Sequence, residues 1–451
     1  MDLKISWCSG LALPVLLVSV ALTACGYKTT TYSRAPTAVA LARYNAASGA
    51  PDLSLPGGSG LVTTEVSPSQ DDLAFAALVQ PDGKIISVGT SFTTPRSVVV
   101  IRYNANGTLD STFGSGGIAV TSLPSADASA FAATLQADGK LLVAGRSCPL
   151  SGFSSFLLLR YHTDISTGTP GTLDTGFGTG GIVTTGIPSG VSNGANAVAL
   201  SGTNILVAGH SKIGGKFAIA LVQYTSSGAL DSGFGSGGIV TTPIFSLDAD
   251  AAALAVQGDG KIVAAGLAGS AFTNVWDVAL LRYNTDGTLD LPFGGTNTGM
   301  AITDIGLSSN YANAVALQAD GKIVVAGNAF ANPFANTSDF AVLRYNTDGT
   351  LDTAGFGSPN GYVTTNIGAF DNGFAVAVQP LDGKIVVAGN ADAGMGDRLA
   401  LLRYTGNGSL DNSFGTGGIV TRTASGPSII AGAFAVALQP LDGAIVVVGY
   451  D

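Results

Sequence analysis

Apolar runs of roughly four to eight residues alternate with turns rich in glycine and aspartate from about residue 38 onward. Residues 312–367 show the unit. Ala312 to Gln318 is apolar and small at many positions, and Ile323 to Ala326 is a β-branched run ending at Gly327. Phe340 to Tyr345 forms a third run and Tyr362 to Thr365 a fourth. Several runs lack strict apolar–polar alternation, which predicts short strands covered on both faces. Asp320-Gly321-Lys322 turns the chain between the first two, because aspartate bonds nearby backbone and glycine accepts positive φ. Asn346 to Asp352 turns it again before Phe356-Gly357. The unit is an antiparallel meander of four strands, a to d.

The unit recurs about every 60 residues, so the number of units matters more than chain length. The a–b turn appears at Asp82-Gly83-Lys84, Asp138-Gly139-Lys140, Asp259-Gly260-Lys261, Asp320-Gly321-Lys322 and Asp382-Gly383-Lys384. It decays at Gly202-Thr203-Asn204 and Asp442-Gly443-Ala444. Strand c ends in tyrosine at Tyr44, Tyr103, Tyr161, Tyr224, Tyr283, Tyr345 and Tyr404. The first tyrosine precedes every such turn, and no tyrosine of the series follows the last turn. The chain therefore starts with strands c and d (Val39 to Tyr44, Leu61 to Thr64) and ends with a and b (Phe434 to Gln439, Ile445 to Val448). Joining the two halves completes one sheet and pairs edges that would otherwise invite aggregation. An open solenoid would need polar caps at its ends. The expectation is an all-β, seven-bladed β-propeller over residues 38–451, closed by pairing of N- and C-terminal strands. Its alanine-rich strand a would crowd the axis.

Composition supports strands over helices. Glycine is 63 of 451 residues, and Glu65 is the only glutamate; aspartate favours turns where glutamate favours helix interiors. Charged residues make up 11% and hydrophobic ones 46%, with a net charge of −10. The acidic balance and the lack of basic clusters exclude nucleic acid as a partner.

The first residues read as an export signal. Lys4 precedes an apolar stretch from Leu11 to Ala24 that is short for a membrane span. Leu22-Thr23-Ala24-Cys25 resembles the bacterial lipobox. That resemblance implies a signal peptide over 1–24, diacylglycerol on the Cys25 thiol, a tether over 25–37 and membrane attachment through the lipid. Gly26 follows the cysteine, and the absence of aspartate there points to the outer membrane or cell surface. With Cys8 in the signal and Cys25 lipidated, Cys148 would stand alone and no internal disulfide is expected.

The composite motif resembles the delta-60 repeat family of bacterial proteins. Its units look like Ala-Val-Ala-x-Gln-x-Asp-Gly-Lys-Ile-Val-Val-Ala-Gly, then Arg-Tyr-Asn and Leu-Asp-x-x-Phe-Gly. The third unit departs from it at Thr203 and Gln223. The resemblance implies an envelope or secreted repeat module and brings no catalytic residues with it.

Residues repeated in every unit read as scaffold, since one pocket does not need seven copies. The arginines at 43, 102, 160, 282, 344 and 403 are expected to pair with turn aspartates such as Asp110, Asp290, Asp352 and Asp411. The phenylalanines at 113, 177, 234, 293, 356 and 414 are expected to wedge between blades. The loop Asn284 to Asp290 weakly resembles a Ca2+ loop but lacks its acidic twelfth position, so no metal or cofactor is expected. His162 replaces a turn asparagine. No nucleophile elbow, His-Glu-x-x-His or phosphate loop appears.

Strand parity puts the uniform a–b and c–d turns at one end of the ring and the b–c and d–a loops at the other. The b–c loops vary most, as residues 90–97, 146–155, 267–277 and 328–339 show. Variable loops on a rigid frame are where binding is usually built. Candidate ligand-binding residues there are Asp72, Asp127, His210, Asp248, Trp276, Asn310 and Asp371, with His210 expected exposed in a loop. The reading is a lipid-anchored, non-enzymatic binding or scaffold module for protein or glycan. The alternative is a propeller-type polysaccharide hydrolase or lyase.

Overall fold

The computed structural model describes residues 36–244, 248–269, 275–306, 308–330, 337–392, 397–423, 432–440 and 442–451. The apolar N-terminal run and Cys25 lie outside them. Seven four-stranded antiparallel sheets form a β-propeller. Blades 1 to 6 run consecutively, their a strands being Asp72–Val79, Ala126–Leu135, Asn193–Ser201, Ala249–Val256, Asn310–Leu317 and Asp371–Val378. Blade 7 is the clasp. Its strands a and b are Gly432–Leu438 and Ile445–Tyr450, and its strands c and d are Val39–Tyr44 and Leu61–Thr64. The two halves pair in unbroken register from Val39 opposite Tyr450 to Tyr44 opposite Ile445.

Each strand a packs against the a strands of both neighbouring blades, and this inner circle closes between Gly432–Leu438 and Asp72–Val79. The apolar core is divided accordingly into seven clusters, each shared by two adjacent blades. Burial on both faces explains why strands b and c read as unbroken apolar runs.

Repeated polar residues tie the blades together. The arginine of strand c bonds the turn aspartate of its own blade, as in Arg102 Nε to Asp110 Oδ2 at 2.8 Å. Its Nη1 donates to a backbone carbonyl of the next blade, Thr163 for Arg102 and Ala46 for Arg403. The guanidinium also lies over a fully buried phenylalanine, 4.7 Å from the Phe113 ring centre in blade 1 and 4.5 Å from that of Phe414 in blade 6. In blade 3, Gln223 Nε2 keeps the bond to Asp231 at 2.8 Å. The tyrosine ending strand c bonds a threonine of the preceding blade, for example Tyr224 to Thr185 at 2.7 Å. Arg422 takes the threonine's place beside Tyr44, whose hydroxyl is buried without a hydrogen bond.

One local feature was not anticipated. Every strand a carries a bulge, for example between Ala312 and Ala314. Opposite each bulge stands a glycine of strand b: Gly89, Gly145, Gly209, Gly266, Gly327, Gly389 or Gly449. The bulge drives a strand a carbonyl into the space a Cβ would fill. Strand b does not stop at this glycine but continues, to Phe330 in blade 5. The expected b–c loops are correspondingly shorter.

Candidate binding face and axial channel

The meander places the a–b and c–d turns at one end of the ring and the b–c and d–a loops at the other. Five of the proposed residues begin strand a or lie just before it. Asp72 Oδ2 accepts the N–H groups of Val66 and Ser67 at 2.9 and 3.0 Å, capping the preceding d–a loop. Asp371 does the same for Ile367 and Gly368. Asn310 Nδ2 donates to the Ser308 carbonyl at 2.9 Å. Asp127 and Asp248 instead reach the preceding blade, accepting the Arg96 N–H at 2.8 Å and the Phe217 N–H at 2.7 Å. Asp72, Asn310 and Asp371 are at most 1% exposed, so their side chains hold loops from within. Trp276 opens strand c of blade 4, half-buried, with its backbone N–H 3.2 Å from Ser309 Oγ.

His210 differs from expectation. It lies within strand b of blade 3 (Asn204–Ile213) and is 4% exposed, because the strand runs past its glycine. Its Nδ1 is 3.1 Å from Asp250 Oδ2 on strand a of blade 4, and its ring meets Phe217 edge-on. Its Nε2 is buried with no hydrogen-bond partner. Cys148, expected to stand alone, is disulfide-bonded, its partner lying outside the described residues. The expectation had discounted Cys8 and Cys25, both present in the full chain.

The bulges build a wall that no sequence motif announced. Their extra residues, in blade order, are Phe75, Phe131, Asn196, Ala252, Asn313, Phe374 and Phe434. Four phenylalanines therefore occupy four consecutive blades, 6, 7, 1 and 2. Phe374 meets Phe434 at 5.2 Å, Phe434 stacks on Phe75 at 5.1 Å, and Phe75 meets Phe131 at 5.5 Å. Sitting on the innermost strands, they line an arc of the axial channel. The other three blades carry amides or alanine: Asn196 donates to Asp250 Oδ1 at 2.9 Å, and Asn313 to the Gly373 carbonyl at 2.9 Å. The detectable signal was variation at a single position inside otherwise uniform alanine-rich strands.

Next to this arc is Arg146, on strand b of blade 2 opposite Ser129. It is partly buried and, among the described residues, makes no hydrogen bond or ion pair. Burial, then the like charge of Arg96, push it below the usual arginine range, against the pull of Asp250 and Asp127. Gly194, on strand a of blade 3, leaves room for it: a Cβ there would come within 3.1 Å of His210 Cε1 and 3.4 Å of Arg146 Cδ. The uniform end of the ring has cavities too. One of about 570 Å³ lies between the a–b turns of blades 4 and 5, and one of about 370 Å³ beside Tyr44 and Asp442. Among the described residues no cluster of three metal-ligating side chains occurs. In the loop resembling a calcium site, Asp286 Oδ1 is taken up by the N–H and hydroxyl of Thr288.

The carboxylates fall into two groups that predict opposite responses to acid. Burial pushes Asp371 up despite its two backbone donors, with Asp339 and Asp392 adding repulsion. Burial, helped by Asp304 and Asp392 respectively, also raises Asp277 and Asp397. These three take up protons first in the folded state, which adds stability in mildly acid solution. Burial also opposes ionisation of Asp110, but the Thr112 hydroxyl and N–H and the Arg102 guanidinium outweigh it and hold the carboxyl at about 2. The equivalents Asp52, Asp174, Asp290, Asp352 and Asp411 are likewise lowered. Their contribution is complete above the ordinary carboxylate pKa of about 4 and is lost as pH falls toward about 2. Urea midpoints should therefore hold level or rise slightly on mild acidification, then fall steeply below about pH 4. Midpoints declining steadily from neutral pH would contradict this division.

The family described as "Domain of unknown function (DUF5122) beta-propeller" matches residues 80–113, 136–177, 204–234, 257–293, 318–354 and 381–414. Each match lies within one of the six unbroken blades and takes in strands b and c; five end at the phenylalanine and the blade 5 match ends at 354, just short of Phe356. The clasp blade, split between the termini, yields none. No curated protein matches the chain. Among solved structures, a protein of unknown function from Dyadobacter fermentans is 12% identical, covering 84% of this chain and 95% of that one, with a TM-score of 0.42. The extracellular domains 1–2 of Drosophila Semaphorin 1b are 10% identical over 84% and 87%, with a TM-score of 0.41. The arabinofuranosidase arb93a of Fusarium graminearum is 10% identical over 81% and 97%, with a TM-score of 0.44.

Proposed function

We propose that this chain is a non-enzymatic binding module, held to a bacterial envelope by lipid on Cys25, that takes a protein or glycan at the end of the ring carrying the b–c and d–a loops. The observation that carries the reading is the asymmetry between the two ends. One end repeats two short turns with little change except in the longer c–d turn of blade 2, between Tyr161 and Leu173, while the other differs in loop length and sequence from blade to blade. The b–c loop of blade 2 also exposes Leu150 and Phe153, 83% and 63% accessible, at its tip. Large apolar side chains presented together on variable loops favour a contact surface.

The experiment compares the full chain with two variants on arrays of envelope proteins and glycans. Leu150→Ser with Phe153→Ser should lower capture at least about tenfold. Leu381→Ser, altering a 99% exposed leucine in an a–b turn at the opposite end, should leave it unchanged. Equal loss in both variants, or none in either, removes the loop end from consideration. Cys25→Ser should move the protein from the membrane fraction to the soluble fraction of its host; continued membrane retention would refute the lipid anchor.

A further inference from the structure

We infer that the loop-side mouth of the axial channel binds an acidic saccharide, its ring faces against the Phe374–Phe434–Phe75–Phe131 arc and its anionic group, carboxylate or sulfate, on Arg146. This rests on the binding reading above and gives it a ligand class. Three independent observations meet at one place.

The first is the aromatic arc. Core phenylalanines in this fold sit between blades, as Phe113 and Phe414 do, fully enclosed. The arc phenylalanines instead occupy the extra position of a bulge on the innermost strand, where other blades carry Asn196, Ala252 and Asn313. Phe75, Phe131 and Phe374 remain partly exposed. Phe434 stacks on Phe75 and meets Phe374 at 61°, and Phe75 meets Phe131 at 67°, so the four rings form one continuous apolar surface. A pyranose has one face of C–H groups that suits such a surface and hydroxyls around its rim that suit amides.

The second is Arg146. A partly buried guanidinium with five donors and no partner is costly, and a bidentate carboxylate or sulfate is the chemistry that satisfies it. The aromatic arc ends in blade 2, the blade that carries Arg146. The third is His210. Its side chain is 5% exposed, its Nδ1 faces Asp250, and its unpartnered Nε2 lies beside Arg146 over the bare backbone of Gly194. The buried, unpartnered Nε2 and the Arg146 stem pack together against the bare backbone of Gly194. Arg146 offers donors to a carboxylate or sulfate, and Nε2, the ring's acceptor when Nδ1–H points to Asp250, offers a lone pair to a sugar hydroxyl.

Calorimetric titration of the full chain with trigalacturonate, a sulfated galactose trisaccharide, neutral galactotriose and an aspartate-rich hexapeptide tests this. The variants are Arg146→Asn and Phe131→Asn. Asparagine already occupies both positions in other blades, at Asn328 and Asn390 and at Asn196 and Asn313, so both variants should keep the wild-type melting temperature. At least one acidic sugar should bind, at least about tenfold tighter than galactotriose, and each variant should lose at least about tenfold for it. Whichever acidic sugar binds distinguishes carboxylate from sulfate. Equal affinity for galactotriose, indifference to Arg146→Asn, or binding of the peptide alone would overturn the inference. A panel with no binding would also overturn it; if array capture still depended on Leu150 and Phe153, the binding reading would stand without it.

Discussion

Gly327→Ala is expected to leave little folded protein. An ideal Cβ at this position would stand 1.7 Å from the Tyr311 carbonyl oxygen and 2.8 Å from its carbon. Both are backbone atoms of Tyr311 on strand a of the same blade, just before the bulge between Ala312 and Ala314, so no side chain can swing aside. Relief requires separating strands a and b, which also disturbs the contact of strand a with both neighbouring blades. Overpacking a core by one methyl usually costs about 1–3 kcal/mol; with backbone on the receiving side the upper end or beyond is expected. Gly258→Ala is the control. Nothing lies within 4 Å of a Cβ there, and the equivalent turn position holds Ala137 and Ala319 in other blades. That variant should be neutral or gain about 0.4–1 kcal/mol from a stiffer unfolded chain. Urea unfolding and soluble yield of the two variants settle the matter, and a well-folded Gly327→Ala protein would mean that the bulge is not tight.

The blades and their closure were legible because they rest on features that repeat. A turn that needs aspartate and glycine leaves the same mark in most blades, and the offset between Tyr44 and Asp442-Gly443 translates directly into a clasp. The arginine–aspartate pairs were legible for the same reason: a charge recurring at one position in apolar surroundings needs a partner in its own unit. The bulge was not. Gly327 read as the end of a strand because glycine usually interrupts one. Here it marks close approach of a neighbouring backbone, and the strand runs on.

The same misreading displaced His210. Once strand b ended at its glycine, Gly209, the histidine immediately after it fell into a loop and was taken as exposed, whereas the structure buries it against Asp250. The aspartates before strand a were correctly placed at the loop end, but each uses one carboxylate oxygen to cap backbone N–H groups, while Oδ1 of Asp72 and of Asp371 is buried without a hydrogen bond. What stayed hidden was information carried by differences between blades. Phe75, Phe131, Phe374 and Phe434 are scattered in sequence by intervals of a blade or more and become one surface only when the ring closes. Arg146 and Gly194 likewise meet only across a blade boundary.

Arg403→Ala should open the ring at its seam. Arg403 is 1% exposed and bonds Asp411 through Nε and Nη2, both at 2.8 Å. Its Nη1 and Nη2 also donate to the carbonyls of Ala46 and Ala47, 357 and 356 residues away in the N-terminal half of the clasp blade. Alanine removes these bonds and the contact with the Phe414 ring, and leaves the Asp411 carboxylate to Lys384, 3.0 Å away and partly exposed. Breaking a buried pair in this way costs about 3–5 kcal/mol; the remaining lysine should hold the loss near the lower figure. Arg160→Ala makes an informative comparison, because Arg160 makes the corresponding Nε bond to Asp174 and Nη1 bond to the Ser226 carbonyl within the continuous part of the chain, without the Nη2 bonds of Arg403. Stability should fall by a similar amount in both. Hydrogen exchange should differ: Arg403→Ala should raise it first in Val39–Tyr44 and Ile445–Tyr450, the strands whose pairing joins the two halves of the clasp blade. Arg160→Ala should leave those amides protected, since blades 2 and 3 remain joined through the chain whatever their interface does. Local opening follows the weakest cooperative unit, and a clasp of two separate segments has no covalent link to limit it. Uniform loss of protection across all seven blades in Arg403→Ala would show that the seam is no weaker than any other boundary, and that the ring opens only by unfolding as a whole.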